Sequence, residues 1–145
     1  MPTRNARSTW TGGVQDGTGR VELVSSGAGS FDVSFPRRIA DDAEGVTSPE
    51  ELIAAAHAAC YSMALSGGIA RAGGTPESLV VDAAVTLGPD PAGGFRISGI
   101  ALTVRGKAGG LDNDGFVKAA EEAKAGCPVS KALTGTTITL DAALA

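Results

Sequence analysis

Between Ser48 and Ser66 the chain reads SPEELIAAAHAACYSMALS, with its only proline at the second position and no glycine before Gly67. Such a stretch is committed to one long helix. Ser48 is placed to cap it, Pro49 suits the first helical position, and Glu51 sits where a capping box needs a carboxylate. The helix is expected to run to Gly67 or, if it passes the Gly67–Gly68 pair, to Gly73. Its interior is almost all small or apolar, so it should be buried on most sides. Alanines at 54, 55, 58 and 59 would let another helix or a sheet approach closely.

The remaining segments arrange themselves around this helix. RVELVSS (20–26) and SFDVSF (30–35) alternate apolar and polar residues about a GAG turn, with TWTGG before them as a further short strand. A polar loop is expected from Pro36 to Thr47. After the helix, SLVVDAAVTLG (78–88) and FRISGIALTVRG (95–106) form a second hairpin through PDPAGG. An amphipathic helix spans about 114–125 and stops at Gly126. A short helix follows Pro128, and TTITLDAAL supplies a last strand. β-hairpin, long helix, β-hairpin, helix and strand describe an α+β fold rather than a doubly wound parallel sheet.

Length and charge set the frame for function. A chain of 145 residues reads as a single domain over 1–145, able to bury a core without disulfide staples. A net charge of −4 with scattered basic residues gives no footprint for nucleic acid. No apolar run reaches the length that spans a bilayer, and the polar N-terminus lacks a signal-peptide core. The expected compartment is the cytoplasm, where a cysteine pair is more often catalytic, redox-active or metal-binding than structural.

There are two cysteines and one histidine. Cys127, in GCPVSKAL, stands at the start of a helix, where backbone N–H groups lower a thiol pKa. Taken alone it reads equally as a small residue in a tight junction. Cys60, in mid-helix among alanines, reads alone as an inert core cysteine with a raised pKa. His57 lies three residues before Cys60 on the same helix face. A Cys–His hydrolase and a metal site are both conceivable, but the ligand set is short for zinc. A polar residue at the edge of a buried helix is the plainer reading. A non-catalytic protein with an apolar pocket for a small molecule is the other alternative.

The combination is more specific than its parts. TSPEELIAAAHAACYSMALS, followed by AKAGCPVSKAL with its cysteine 67 residues after Cys60, resembles the osmotically inducible protein C / organic hydroperoxide resistance (OsmC/Ohr) family, and its OsmC branch most closely. The resemblance extends over essentially the whole chain. It implies a thiol-dependent peroxidase that reduces organic hydroperoxides, and hydrogen peroxide more weakly, without a cofactor or metal. It implies an intertwined homodimer with two sites at the interface. Carried over by position, Cys60 is the peroxidatic nucleophile, Cys127 the resolving thiol, Glu50 the family's glutamate and Arg38 its arginine. Arg37 is adjacent; in an extended segment the two would point to opposite faces. Burial would suit Cys60, and a helix junction would let a reductant reach Cys127. The reductant implied is a dithiol such as a dihydrolipoyl group on a carrier protein.

Helix geometry adds one constraint. Glu50 and Cys60 are ten residues apart, roughly 15 Å along an unbroken helix, with side chains rotated by roughly 80°. No Gly or Pro interrupts LIAAAHAA. A single site holding both would then take Glu50, and Arg38 with it, from the second chain.

Overall fold

The computed structural model describes residues 1–145. The chain divides into two compact units, Met1–Leu52 and Ile53–Ala145. The order of elements is the expected one, with one addition.

In the first unit, β1 (Arg7–Thr11), β2 (Thr18–Glu22) and β3 (Ser30–Val33) form an antiparallel sheet in the order β1-β2-β3. All of β1 is exposed. The segment expected as loop instead opens with a one-turn helix, α1 (Phe35–Arg38). Ser34 caps it by accepting a hydrogen bond from the Arg37 N–H, and Pro36 suits its first turn. A parallel bridge between Val33 and Thr47 returns the chain beside β3. That bridge fixes where the long helix α2 (Pro49–Arg71) begins.

At the start of α2, Ser48 Oγ accepts a hydrogen bond from the Glu51 N–H at 3.1 Å. The reciprocal half of the expected capping box is replaced, because the Glu51 carboxylate accepts from the Thr47 hydroxyl. The helix passes Gly67 and Gly68 and ends at Arg71.

The second unit is built around the rest of α2. β4 (Thr75–Pro89) and β5 (Phe95–Gly109) pair antiparallel over almost their whole length, and β6 (Ile138–Leu144) adds parallel to β5. Between β5 and β6 come α3 (Asn113–Gly126), capped by the Asp112 side chain, and α4 (Pro128–Ala132). Tyr61, Leu65 and Ile69 of α2 meet Ile100, Leu102 and Val104 of β5 and Phe116, Ala119, Ala120 and Ala123 of α3 in one core. The strand contributes every second residue and α2 every fourth, as the two periodicities require. Gly106 makes room for this core: a Cβ there would stand 2.7 Å from both Leu79 Cδ2 and Phe116 Cζ.

By length and average composition α2 could cross a bilayer, with a mean hydropathy of 1.4. Its buried stripe packs into the core of the second unit, which marks it as a core helix. One expectation about it needs correction: it is not buried on most sides. One stripe, through His57, Tyr61, Leu65, Gly68 and Ile69, is buried, while Ala55, Ala56, Ala59 and Met63 on another face are exposed.

Candidate active site

The first unit holds an ion pair at the junction of α1 and α2. Arg38 ends α1 and Glu50 begins α2. The Arg38 Nε donates to both Glu50 carboxylate oxygens at 3.1 Å, and Nη2 donates to Oε1 at 2.6 Å. Two guanidinium nitrogens on one carboxylate fix its plane as well as its position. Glu50 is buried, which by itself would raise its pKa; the Arg38 hydrogen bonds and charge outweigh that and hold it below the ordinary carboxylate value. Arg38 is raised in turn, mainly by the Glu50 hydrogen bond.

Arg37 goes elsewhere. Its Nη2 lies 2.5 Å from Glu44 Oε2, and Nη1 reaches toward the Asp42 carbonyl. The two arginines diverge on a helical turn, where adjacent side chains are rotated by roughly 100°. Beside Arg38 lies a cavity of about 490 Å³ walled by Trp10, Val21, Val33, Phe35 and Leu52. Its surface is almost entirely apolar, with one guanidinium at its edge.

The second unit holds the thiols. Cys60 on α2 and Cys127 before α4 are both free, and their sulfurs are 3.2 Å apart. Cys127 is the N-cap residue of α4, its own N–H bonded to the Ala123 carbonyl at the end of α3. The α3–α4 corner therefore carries the sulfur onto α2. Burial of the pair runs opposite to expectation. Cys127 has no exposed surface and belongs to the core, whereas Cys60 is partly exposed. The corner tucks its sulfur inward, and Cys60 lies off the buried stripe of α2.

The two thiols also differ in acidity. Burial pushes Cys60 up, and the neighbouring Cys127 adds to that, against a single opposing backbone N–H from Val129. Burial also acts against ionisation of Cys127, but the Ser130 N–H, the Cys60 thiol, the Ser130 hydroxyl and the Val129 N–H together bring it below its ordinary value. Sulfurs this close titrate as a pair, and of the two Cys127 ionises the more readily.

His57 does not address Cys60. It is wholly buried, and its Nε2 lies 2.7 Å from Ser130 Oγ. Its Nδ1 is buried without a hydrogen-bond partner. Burial lowers its pKa and so favours the neutral ring. The Cys–His arrangement of a hydrolase is absent. Ser130 was not singled out from the sequence, although its place three residues after Cys127, on the same turn, is the signal that could have found it. No group of three or more His, Cys, Asp or Glu side chains is placed to hold a metal ion.

The chain is similar to known proteins in both sequence and fold. Residues 41–141 match the family model described as OsmC-like protein. The chain is 41% identical over 138 residues to Peroxiredoxin OsmC of Escherichia coli (strain K12), covering 95% of this chain and 94% of that protein. It is 32% identical over 131 residues to the Organic hydroperoxide resistance protein of Xanthomonas axonopodis pv. citri, covering 90% and 87%. Among solved structures, an organic hydroperoxide resistance protein from Elizabethkingia anophelis superposes with a TM-score of 0.79 at 27% identity, covering 100% and 98% of the two chains. OhrB of Bacillus subtilis superposes with a TM-score of 0.74 at 29% identity, covering 95% and 97%.

Proposed function

Because this chain belongs to the OsmC-like protein family, we propose that it is a thiol-dependent peroxidase that reduces organic hydroperoxides, and hydrogen peroxide more weakly. The observation that carries this reading is the pair of free thiols with sulfurs 3.2 Å apart. Two cysteines 67 residues apart in sequence are held at that distance by the α3–α4 corner, within reach of a bond.

The Cys60 thiolate attacks one oxygen of the peroxide. An S–O bond forms, the O–O bond breaks, and its electron pair leaves on the alkoxide, which takes a proton and departs as the alcohol. Cys60 is then a sulfenic acid. Cys127 attacks its sulfur, the S–O bond breaks, water leaves, and a Cys60–Cys127 disulfide remains. Capture by a second thiol prevents oxidation beyond the sulfenic state.

Cys60 is the less acidic sulfur of the free pair, so it needs a positive charge to become the nucleophile. A guanidinium is always charged, and Arg38, held by Glu50, is built to supply it. A positive charge beside Cys60 favours ionisation of that sulfur and leaves the proton on Cys127. The helix is unbroken between Glu50 and Cys60, so roughly 15 Å separates them within one chain. The reading therefore places Arg38 and Glu50 of one subunit beside Cys60 and Cys127 of the other. The exposed Ala55, Ala56, Ala59 and Met63 on α2 support such a homodimer, as apolar surface that a second copy would cover. The apolar cavity beside Arg38 would receive the organic part of the peroxide, which favours alkyl hydroperoxides.

The disulfide is returned to thiols by a dithiol such as a dihydrolipoyl group on a carrier protein, in the reducing cytoplasm. Since Cys127 is buried, the reductant attacks at the Cys60 sulfur and releases Cys127. The test is steady-state consumption of an alkyl hydroperoxide with dihydrolipoamide. Turnover should exceed that of hydrogen peroxide and vanish in Cys60→Ser. Wild-type protein that consumes no peroxide would favour a binding protein with incidental thiols, and a rate unchanged in Cys60→Ser would remove Cys60 from the reaction.

A further inference from the structure

The peroxidase reading leaves one buried group without a task. His57 is the sole histidine, is fully enclosed, and spends its only hydrogen bond on the Ser130 hydroxyl. A buried imidazole that packs as a core residue gains nothing from that bond while its Nδ1 stays unpartnered. An unsatisfied buried polar atom costs on the order of 1–3 kcal/mol. The arrangement calls for a reason beyond packing.

The tautomer supplies one. A neutral imidazole carries one N–H. If Nδ1 carried it, the structure would bury a donor with no acceptor, the rarer and less tolerated defect. With the proton on Nε2, the unpartnered atom is an acceptor, and Nε2–H donates to Ser130 Oγ. The serine oxygen is then occupied as an acceptor, and its own proton is free to point elsewhere. Ser130 lies three residues after Cys127, in the turn that opens α4. The hydroxyl favours the ionised form of Cys127, as a donor to sulfur does.

We propose that His57 and Ser130 form a buried donor chain, His57 Nε2–H to Ser130 Oγ–H to Cys127 Sγ, that prepares Cys127 for its attack on the Cys60 sulfenic acid. In this chain Ser130 is the group that donates to the reacting sulfur. His57 is a positioning residue that acts through it. In this step the Cys127–H bond breaks as the S–S bond forms, the Cys60 S–O bond breaks, and the proton of Cys127 ends on the departing oxygen, which leaves as water. The Ser130 hydroxyl stabilises the negative charge that gathers on Cys127 as its proton is given up. Nothing in the chain is oxidised besides the two sulfurs, and no further reactant is required.

The inference rests on Cys60 and Cys127 acting as the peroxidatic and resolving thiols, and its test separates the two. Reduced full-length protein is mixed with one equivalent of cumene hydroperoxide. Loss of the peroxide reports the first step. Intact mass after rapid quenching with a sulfenic-acid trap reports the fraction still at Cys60 sulfenic acid, and so the second step. Ser130→Ala should not slow the first step, because it weakens the competing acidity of Cys127, and should slow disulfide formation about tenfold, the rate equivalent of one lost charge-assisted hydrogen bond. His57→Leu should do the same. Ser130→Thr, which keeps the hydroxyl, and His57→Gln, which keeps a donor, should recover most of the second rate. A merely structural role would slow both steps together and would not be rescued by these replacements. If His57→Leu does not fold, the two Ser130 variants decide alone. Disulfide formation at the wild-type rate in Ser130→Ala, or equal slowing of both steps, would overturn the proposal. Wild-type protein that consumes no peroxide, or that keeps both thiols free, would instead remove the peroxidase reading beneath it.

Discussion

The difference between Arg37 and Arg38 shows how much one turn of backbone decides. Both are exposed enough to be mobile on sequence grounds, yet Arg38 grips Glu50 while Arg37 is spent on Glu44. If Arg38 is the charge that ionises Cys60, Arg38→Ala should slow the peroxide step by roughly 10²-fold, and Arg37→Ala should leave it close to wild type. Stopped-flow peroxide consumption distinguishes them, and the reverse ranking would contradict the assignment. The same pair carries a pH signature. Glu50 has a folded pKa below its unfolded value, so its contribution to stability is present above the unfolded pKa, about 4.3. It is lost as pH falls through the lower folded value. The thermal midpoint should therefore decline as pH is lowered from about 5, and that part of the decline should be missing in Glu50→Gln. Neither partner was readable as a pair from local sequence, since twelve residues and an unforeseen turn separate them. The resemblance in the motifs pointed to both residues; the geometry of their contact came only with the fold. Ser130 and His57 were less legible still, because they are 73 positions apart and only the fold brings them into hydrogen-bond contact.

At the scale of elements, the start of α2 was written plainly in Ser48, Pro49 and Glu51. Its end was not, because Gly67 and Gly68 can either stop a helix or continue it, and tertiary contacts at Gly68 and Ile69 chose continuation. α1 was passed over although Ser34 and Pro36 are ordinary start signals, since four residues leave no periodicity to read. The exposures of Cys60 and Cys127 came out reversed for a related reason. Burial is set by which face of α2 the sheet and α3 cover, and a run of alanines looks equally apolar all the way round. Removing the cap in Ser48→Ala should destabilise the protein by about 1 kcal/mol, read as a shift in the denaturant midpoint at constant slope. Because that cap also sets where Glu50 begins its turn, the peroxide step should slow in the same variant. A loss of stability with fully retained activity would mean that the Arg38–Glu50 contact holds its own position without help from the helix start.

At the scale of the whole molecule, the account joins two pairs, Arg38 with Glu50 and Cys60 with Cys127, through a second copy of the chain. Co-expressing a Cys60→Ser chain with a Glu50→Ala chain tests that arrangement. Each is inactive alone, but a mixed dimer would retain one site assembled from intact parts of both, and partial activity should return. Mixed dimers that form and stay inactive would place each site within a single subunit. The central claim, a peroxide-driven disulfide between two particular sulfurs, has a more direct test. Reduced protein is treated with one equivalent of an alkyl hydroperoxide and weighed intact under non-reducing conditions. The account predicts that the mass falls by the two thiol hydrogens, that a thiol-alkylating reagent then adds to neither cysteine, and that a dithiol restores both. Protein that consumes the peroxide and still presents Cys60 and Cys127 as free thiols would contradict it.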